Sequence, residues 1–185
     1  MRERVQVYRG DITQVVVDAI VNAANTSLTP GSGVCGAIHA AAGPELEDAC
    51  RALGGCPTGD ARITPGFRLR NARHVIHAVG PIWRGGSQGE DRLLASCYSK
   101  SLELASEHRL HSIAFPSIST GVYGYPLERA SRVAVSTVLD YLAEHELPSL
   151  VILVAYGDHA YAVLDRTLRE AMMERHDSAS LVEHK

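Results

Sequence analysis

The chain has 185 residues, of which 45% are hydrophobic and 21% charged, and its 18 basic and 21 acidic side chains give a formal net charge of −3. A chain of this length and composition buries enough apolar surface to fold without disulfides or a structural metal, which excludes intrinsic disorder as its main state. The near-balanced charge argues against nucleic-acid binding, and the lack of an apolar run of about 20 residues argues against a membrane protein, so we expect a cytoplasmic protein.

Short apolar or β-branched runs alternate along the chain with longer segments of helical periodicity. Strands are predicted at residues 5–8, 19–21, 61–64, 74–78, 112–115 and 150–155, and helices at residues 37–53, 94–105, 127–141 and 161–175. Strands separated by helices predict an α/β fold, a three-layer α/β/α sandwich around a mixed, largely parallel sheet of about six or seven strands. The last strand is apolar throughout, so we expect it to be central and covered on both faces.

The organisation of the chain indicates a single domain over residues 1–176. We find no internal repeat, low-complexity segment or linker, and glycine and proline residues mark turns. Residues 177–185 become polar and lose the apolar period, so a flexible tail is predicted there.

Two glycine-rich segments each follow a predicted strand and precede a predicted helix. The first glycine-rich segment covers residues 22–36 and the second covers residues 116–126. Glycine allows positive φ and a close approach of a ligand to the backbone amides, and the following helix start adds partial positive charge. One such segment alone is typical of a tight turn. Two at equivalent strand ends predict a site for two linked phosphates.

Two common nucleotide motifs do not explain these segments. Residues 31–36 formally match G-x-G-x-x-G, but nine residues separate the strand end at Val21 from Gly31, whereas dinucleotide-binding glycines directly follow their strand. The second segment has no G-K-[ST], which excludes a Walker loop.

The cysteines and histidines indicate no metal centre. The four cysteines are irregularly spaced and form no C-x-x-C pair, so reduced thiols are expected, and the nine histidines show no ligand-like spacing. We therefore expect neither a metal nor a cofactor.

Several ordered motifs resemble the macrodomains, and within them the bacterial MacroD-type branch. The matching stretches lie at residues 10–13, 21–25, 36–39, 42–43, 56–59, 75–81 and 119–124, within a similarity that extends from residue 5 to about residue 170. The resemblance implies a macro fold with an ADP-ribose pocket. It also implies O-acetyl-ADP-ribose or a mono-ADP-ribosylated protein as the partner.

The resemblance further implies roles for individual residues. Asp11, with the Ile12 amide beside it, would accept a hydrogen bond from the adenine amino group, and the same carboxylate is also a candidate N-cap. Asn25 would contact the distal ribose and Tyr123 would pack near it, while Tyr156 would border the adenine unless it is a core tyrosine. Amides or hydroxyls around the diphosphate would come from Gly33, Val34, Ser119, Thr120, Gly121 and Val122.

Cys35 departs from the family pattern. MacroD-type hydrolases usually have an aspartate ten positions after the asparagine, and here that place is Cys35, ten positions after Asn25. Three interpretations remain: an inert residue in a binding-only site, a pocket in which the ligand's phosphate positions the water, or a thiolate nucleophile with His39 one turn away. His39 is otherwise a packed helix residue, and His77 is predicted to be a hydrogen-bonded core histidine.

The combined prediction is an enzyme that hydrolyses ADP-ribosyl esters without a metal. Its catalytic candidates are Asn25, Cys35 and Tyr123. The alternative is a module that binds ADP-ribose and performs no chemistry.

Overall fold

A computed structural model describes residues 3–183 and places six strands in one sheet. The strands are β1 (Val5–Arg9), β2 (Ala19–Ala24), β3 (Ala61–Pro65), β4 (His74–Val79), β5 (Ser112–Phe115) and β6 (Leu150–Ala155). They lie in the order β1-β6-β5-β2-β4-β3, and every neighbouring pair is parallel except β3 and β4. The predicted mixed, largely parallel sheet is confirmed. The carboxyl ends of its five parallel strands therefore meet at one edge.

Five helices cover the two faces of this sheet. They are α1 (Gly33–Ala42), α2 (Pro44–Leu53), α3 (Glu90–Glu107), α4 (Leu127–Glu144) and α5 (Asp158–Val182). One apolar cluster packs α3, α4 and α5 on one face, and a second packs α1, α2 and the short 3-10 helix Ile12–Gln14 on the other. The three-layer α/β/α sandwich is confirmed. Within residues 3–183, no helix is both long enough and apolar enough to cross a membrane.

The predicted helix over residues 37–53 is two helices. Gly43 has a φ of +87° and Pro44 occupies the first turn of α2, so the chain changes direction between them. Proline lacks the amide hydrogen that would continue α1, and glycine tolerates the left-handed backbone. Leu46 and Cys50 then bury one face of α2, and Gly54 ends the helix in the left-handed conformation.

Two further predictions differ from the structure. Strand β6 is second from the edge, between β1 and β5, although side chains on both of its faces are buried, such as Val151 on one and Val154 on the other. Helix α5 continues through Val182, so residues 177–182 of the predicted flexible tail are helical and exposed. Residues 184 and 185 of that predicted tail lie outside the described residues.

Candidate functional site

The two glycine-rich segments meet at the carboxyl edge of the sheet. Strands β2 and β5 are parallel neighbours, so the segments that follow them emerge side by side. Between them lies a cavity of about 270 Å³. Its walls are Ala23, Ala24, Asn25, Gly31, Ser32, Gly33, Val34, Cys35, Gly80, Pro116, Ser117, Ile118, Ser119, Gly121, Val122 and Tyr123. None of these side chains is charged.

The first glycine-rich segment brings the start of α1 to the cavity. Ser32 is the N-cap residue but its hydroxyl makes no capping hydrogen bond, which leaves the first-turn amides of α1 without a side-chain acceptor. The loop closes tightly on the helix, because a Cβ at Gly36 would lie 2.5 Å from the Gly31 carbonyl oxygen. This helix start therefore offers amide donors and partial positive charge to an anion.

The side chain of Asn25 is held in a fixed orientation by the residues that follow it. Its Oδ1 accepts hydrogen bonds from Ser27 Oγ and the Thr29 amide, each at 3.0 Å, and its Nδ2 donates to the Thr29 carbonyl at 3.0 Å. Nδ2 carries a second hydrogen, and this nitrogen is 3.9 Å from where a Cβ on Gly31 would lie. The turn thus orients the amide at the cavity wall.

The Cys35 thiol lies at the base of the same wall and is 6% exposed. Its Sγ is 3.6 Å from Asn22 Nδ2 and 3.8 Å from the Thr29 carbonyl oxygen. The nitrogen of a side-chain amide only donates, so Asn22 Nδ2 donates to the sulfur, whereas the thiol donates to the carbonyl. Both ring nitrogens of His39 are buried without a hydrogen-bond partner, so Cys35 and His39 form no hydrogen-bonded pair.

A buried polar layer supports Cys35 from below. Asn22 Nδ2 is 3.1 Å from His77 Nδ1, and His77 Nε2 is 3.0 Å from Thr64 Oγ1. Because the Asn22 nitrogen donates, Nδ1 of His77 is the acceptor and Nε2 carries the proton. Burial, with a smaller contribution from His39, lowers the pKa of His77 to about 3, which keeps the ring neutral. The predicted hydrogen-bonded core histidine is confirmed.

The second glycine-rich segment turns sharply at Ser119. Ser119 has a φ of +68°, a left-handed conformation that costs a non-glycine residue about 1–2 kcal/mol, and its carbonyl accepts from the Tyr125 amide at 2.9 Å. The buried Ser119 hydroxyl has no partner. Within residues 3–183, the amides of Gly121, Val122 and Tyr123 donate to no backbone carbonyl. These unpaired donors make the turn suited to anionic oxygens.

Tyr123 is anchored from behind by the chain that follows β4. The Trp83 amide donates to the Tyr123 carbonyl at 2.8 Å, and the Trp83 ring packs on Tyr125 with centroids 4.7 Å apart. Arg129 lies over the Trp83 ring at 5.0 Å. Asp91 accepts hydrogen bonds from the Arg129 guanidinium and the Tyr125 hydroxyl. This cluster fixes the far end of the second segment.

Asp11, Ile12 and Tyr156 lie at the β1 and β6 end of the same edge. Arg9 pairs with Ala155, and the Gly10 amide donates to the Ala155 carbonyl at 3.0 Å, so Asp11 and Tyr156 follow neighbouring strand ends. Asp11 Oδ1 accepts from the Thr13 amide at 2.9 Å, which confirms the N-cap interpretation. Tyr156 is 86% exposed and is not a core tyrosine.

The structure brings together most of the predicted site residues. Those that line the cavity are Asn25, Gly33, Val34, Cys35, Ser119, Gly121, Val122 and Tyr123. Thr120 does not line it, and its hydroxyl donates to the Ser117 carbonyl at 2.8 Å. Two residues of the matching motifs had no predicted role: Asn22, a polar residue inside an apolar strand, and Gly80, which directly follows the strand next to β2. Within residues 3–183, no group of three or more metal-binding side chains is assembled.

Comparison with known proteins agrees with this geometry. Residues 21–134 match the Macro domain family model. A macro domain-containing protein of Methanosarcina mazei is 52% identical over 170 residues, covering 92% of this chain and 90% of that protein. A protein of Escherichia fergusonii named O-acetyl-ADP-ribose deacetylase is 51% identical over 174 residues, covering 92% and 98%. The Oceanobacillus iheyensis macrodomain with ADP has a TM-score of 0.89 at 42% identity, covering 93% and 94%. The chain therefore belongs to the macro domain family.

Proposed function

We propose that this protein binds ADP-ribose between the two glycine-rich segments and hydrolyses ADP-ribosyl esters. Its substrates are O-acetyl-ADP-ribose or proteins with mono-ADP-ribosylated acidic side chains. The observation that carries the proposal is that both segments line one cavity, together with Asn25, Cys35 and Tyr123. The deacetylase name of the Escherichia fergusonii relative supports the ester, and the ADP in the Oceanobacillus iheyensis structure supports the nucleotide. The four free cysteines support a reducing, cytoplasmic setting.

The adenosine binds at the end of the sheet edge formed by β1 and β6. Asp11 uses one carboxylate oxygen to cap the 3-10 helix, and its second oxygen accepts from the adenine amino group beside the Ile12 amide. Tyr156 is exposed on the neighbouring strand end and borders the adenine ring. A capped carboxylate is already oriented, so little conformational freedom is lost on binding.

The diphosphate binds between the start of α1 and the turn at Ser119. The amides of Gly33 and Val34 meet it from one side, and those of Gly121 and Val122 from the other. The described residues that line the cavity include no lysine or arginine, so backbone dipoles rather than cations neutralise the phosphates.

The distal ribose binds between Asn25 and Tyr123. The oriented Asn25 amide contacts the ribose hydroxyls, and Tyr123 confines the sugar against the first segment. A water molecule between the ribose and the nearest phosphate attacks the ester, and its proton passes to a phosphate oxygen. One water is consumed, the ester bond breaks, and ADP-ribose and a carboxylic acid are released.

Cys35 replaces the usual aspartate, and its surroundings favour a role in shaping the pocket. Among the histidines that the structure describes, none contacts the thiol, and Asn22 and Thr29 occupy its hydrogen-bonding directions. Assistance by the ligand's phosphate then substitutes for the missing carboxylate. The absence of any carboxylate from the cavity walls also supports the second candidate function, an ADP-ribose-binding module without hydrolysis.

The deciding experiment compares wild type, Cys35→Asp and Cys35→Ala in a release assay on O-acetyl-ADP-ribose and a glutamate-linked mono-ADP-ribosyl peptide. We expect wild type to release ADP-ribose at a rate similar to Cys35→Asp, and EDTA to leave that rate unchanged. Activity in Cys35→Asp alone would favour the binding module. Loss of turnover in Cys35→Ala with unchanged ADP-ribose affinity would instead identify the thiol as the nucleophile.

Binding is tested separately with free ADP-ribose. We expect Asp11→Ala to weaken the affinity about tenfold, because a hydrogen bond to a charged group is lost. Isothermal titration calorimetry measures the change. Unchanged affinity would contradict the adenine role of Asp11.

A further inference from the structure

A second cavity of about 400 Å³ adjoins the proposed ADP-ribose site. We call it the outer groove. It shares Gly80 and Tyr123 with the first cavity and extends beyond them. Its remaining walls mix polar and apolar residues: Thr26, Thr58, Val79, Pro81, Ile82, Arg84, Gln88, Glu90 and Leu93. The two cavities are therefore neighbours on either side of Tyr123.

The order of the strands sets which end of the ligand reaches the outer groove. Asp11 and Tyr156 follow β1 and β6, the two glycine-rich segments follow β5 and β2, and Gly80 follows β4. Neighbouring strands are about 4.8 Å apart, so β1 and β2 are separated by roughly 14 Å, a span suited to an extended nucleotide sugar. With the adenosine at β1 and β6, the distal ribose faces β4. The group attached to that ribose then enters the outer groove.

The outer groove offers polar side chains that have no partner in the protein. Within residues 3–183, the Arg84 guanidinium makes no ion pair or hydrogen bond, and the hydroxyls of Thr26 and Thr58 make no hydrogen bond. The loop that carries Arg84 is nevertheless fixed. The buried Glu90 carboxylate accepts from the amides of Arg84 at 3.1 Å and Gln88 at 3.0 Å. The backbone that carries this exposed cation is thus fixed, while the guanidinium itself stays free to pair with a ligand.

We infer that the outer groove binds the polypeptide that carries the ADP-ribose, and that Arg84 favours carriers with an acidic residue beside the modified side chain. The inference rests on the proposed function and narrows its substrate class to proteins. An acetyl group is far too small to fill this groove. A peptide supplies carbonyl and amide groups for Thr26, Thr58 and Gln88, and its acidic side chain pairs with Arg84.

A peptide suits this surface better than a nucleic acid. Phosphate backbones are bound by several cations in a patch or stripe. Within residues 3–183, the outer groove contains one arginine, no lysine and the Glu90 carboxylate, which already accepts from backbone amides, and the chain has a formal charge of −3. A single local negative charge next to the modified residue is the matching partner.

The test measures binding with probes that cannot be hydrolysed. The probes are free ADP-ribose, a peptide joined to ADP-ribose through an oxime and flanked by aspartates, the same peptide flanked by alanines, and an oxime-linked oligonucleotide. We expect the aspartate peptide to bind about fivefold more tightly than the alanine peptide, a gain typical of one exposed charge pair. Both peptides should bind more tightly than free ADP-ribose and the oligonucleotide. Equal affinity for the two peptides, or tighter binding of the oligonucleotide, would overturn the inference.

A charge reversal at Arg84 identifies the residue responsible. Arg84→Glu should remove the fivefold preference for the aspartate peptide and leave the affinity for free ADP-ribose unchanged. Arg70→Glu makes the same charge change at an exposed site in the β3–β4 connection, on the opposite edge of the sheet, and should keep the preference. A preference that survives Arg84→Glu, or is lost equally in Arg70→Glu, would refute the role of Arg84.

The titrations distinguish a failure of the proposed function from a failure of the inference about the outer groove. If the proposed site does not bind ADP-ribose, free ADP-ribose gives no heat in the titration and no probe depends on its nucleotide part. If free ADP-ribose binds and the aspartate peptide gains nothing, only the inference about the outer groove fails.

Discussion

The two glycine-rich segments enclose one cavity but rest on different kinds of support. Beneath the first segment lies a buried layer of neutral hydrogen-bonding groups, Asn22, His77 and Thr64. Behind the second segment lies a partly exposed ion pair between Asp91 and Arg129. Buried polar groups are costly to leave unpaired, whereas exposed ion pairs are weak and screened by salt. The first segment should therefore depend more strongly on single side chains than the second.

The supports of the two segments also differ in their response to pH. The buried layer requires a neutral imidazole, because Nδ1 of His77 accepts a hydrogen bond from Asn22. The ion pair requires a charged carboxylate at Asp91, whose hydrogen bonds from Arg129 and Tyr125 lower its pKa. Mild acid should affect the support of the first segment before that of the second.

The largest expected effect comes from Gly80→Ala. Gly80 directly follows β4, the strand next to β2, and lies against Ser119 of the second glycine-rich segment. The new Cβ would lie 2.2 Å from Ser119 Oγ and 2.5 Å from Ile118 Cγ2. Overpacking of this kind costs about 1–3 kcal/mol and forces the side chains of Ile118 and Ser119 at the cavity wall to move, so ADP-ribose affinity should fall together with stability. Urea denaturation and calorimetry measure the two losses.

Gly121→Ala is the matched control for this prediction. A Cβ at Gly121 meets nothing within 4 Å, and its φ is outside the left-handed region. Its free energy of unfolding should stay within about 0.5 kcal/mol of wild type. Equal stability of Gly80→Ala and Gly121→Ala would show that the contact between Gly80 and Ser119 is not tight.

The next largest effect comes from His77→Gln, which tests whether the support of the first segment responds to mild acid as described. Burial lowers the pKa of His77 from 6.5 to about 3, so the unfolded chain takes up a proton between these values while the folded protein does not. This contribution to stability is complete above pH 6.5 and decreases by about 1.4 kcal/mol per pH unit as the pH falls toward 3. The variant lacks this proton uptake, so its stability should change less between pH 7 and pH 5. Urea denaturation at each pH measures the two slopes, and parallel slopes would contradict the prediction.

The strands and glycine-rich segments were predictable because their signals are local. Six apolar runs correspond to the six strands. The meeting of the two segments followed from the rule that parallel strands share a carboxyl edge. The break at Gly43 and Pro44 was missed because the helical periodicity continues across it from Ile38 to Leu46.

The supports of the cavity could not be predicted because their contacts join distant parts of the chain. Asn22, Thr64 and His77 lie on three different strands, and their register becomes visible only when those strands pair. The ion pair likewise joins the first turns of α3 and α4. Sequence spacing contains no signal for either contact. Tertiary pairing, not local propensity, therefore decides which polar residues support the site.

The smallest expected effect comes from Asp91→Asn, which removes the charge from the support of the second segment. Arg129 and Asp91 are partly exposed, so the loss at pH 7 should be at most ~1 kcal/mol and should shrink in high salt. Because the pKa of Asp91 is lowered, the stabilisation is present above the ordinary carboxyl pKa near 3.8 and is lost as the pH falls through the lower folded value. The gap between wild type and variant should therefore persist at pH 5, where the His77 contribution is already decreasing. Asp48→Asn, in the exposed pair with Arg51, is the control and should change little. A gap that closes between pH 7 and pH 5 would show that the two supports titrate together.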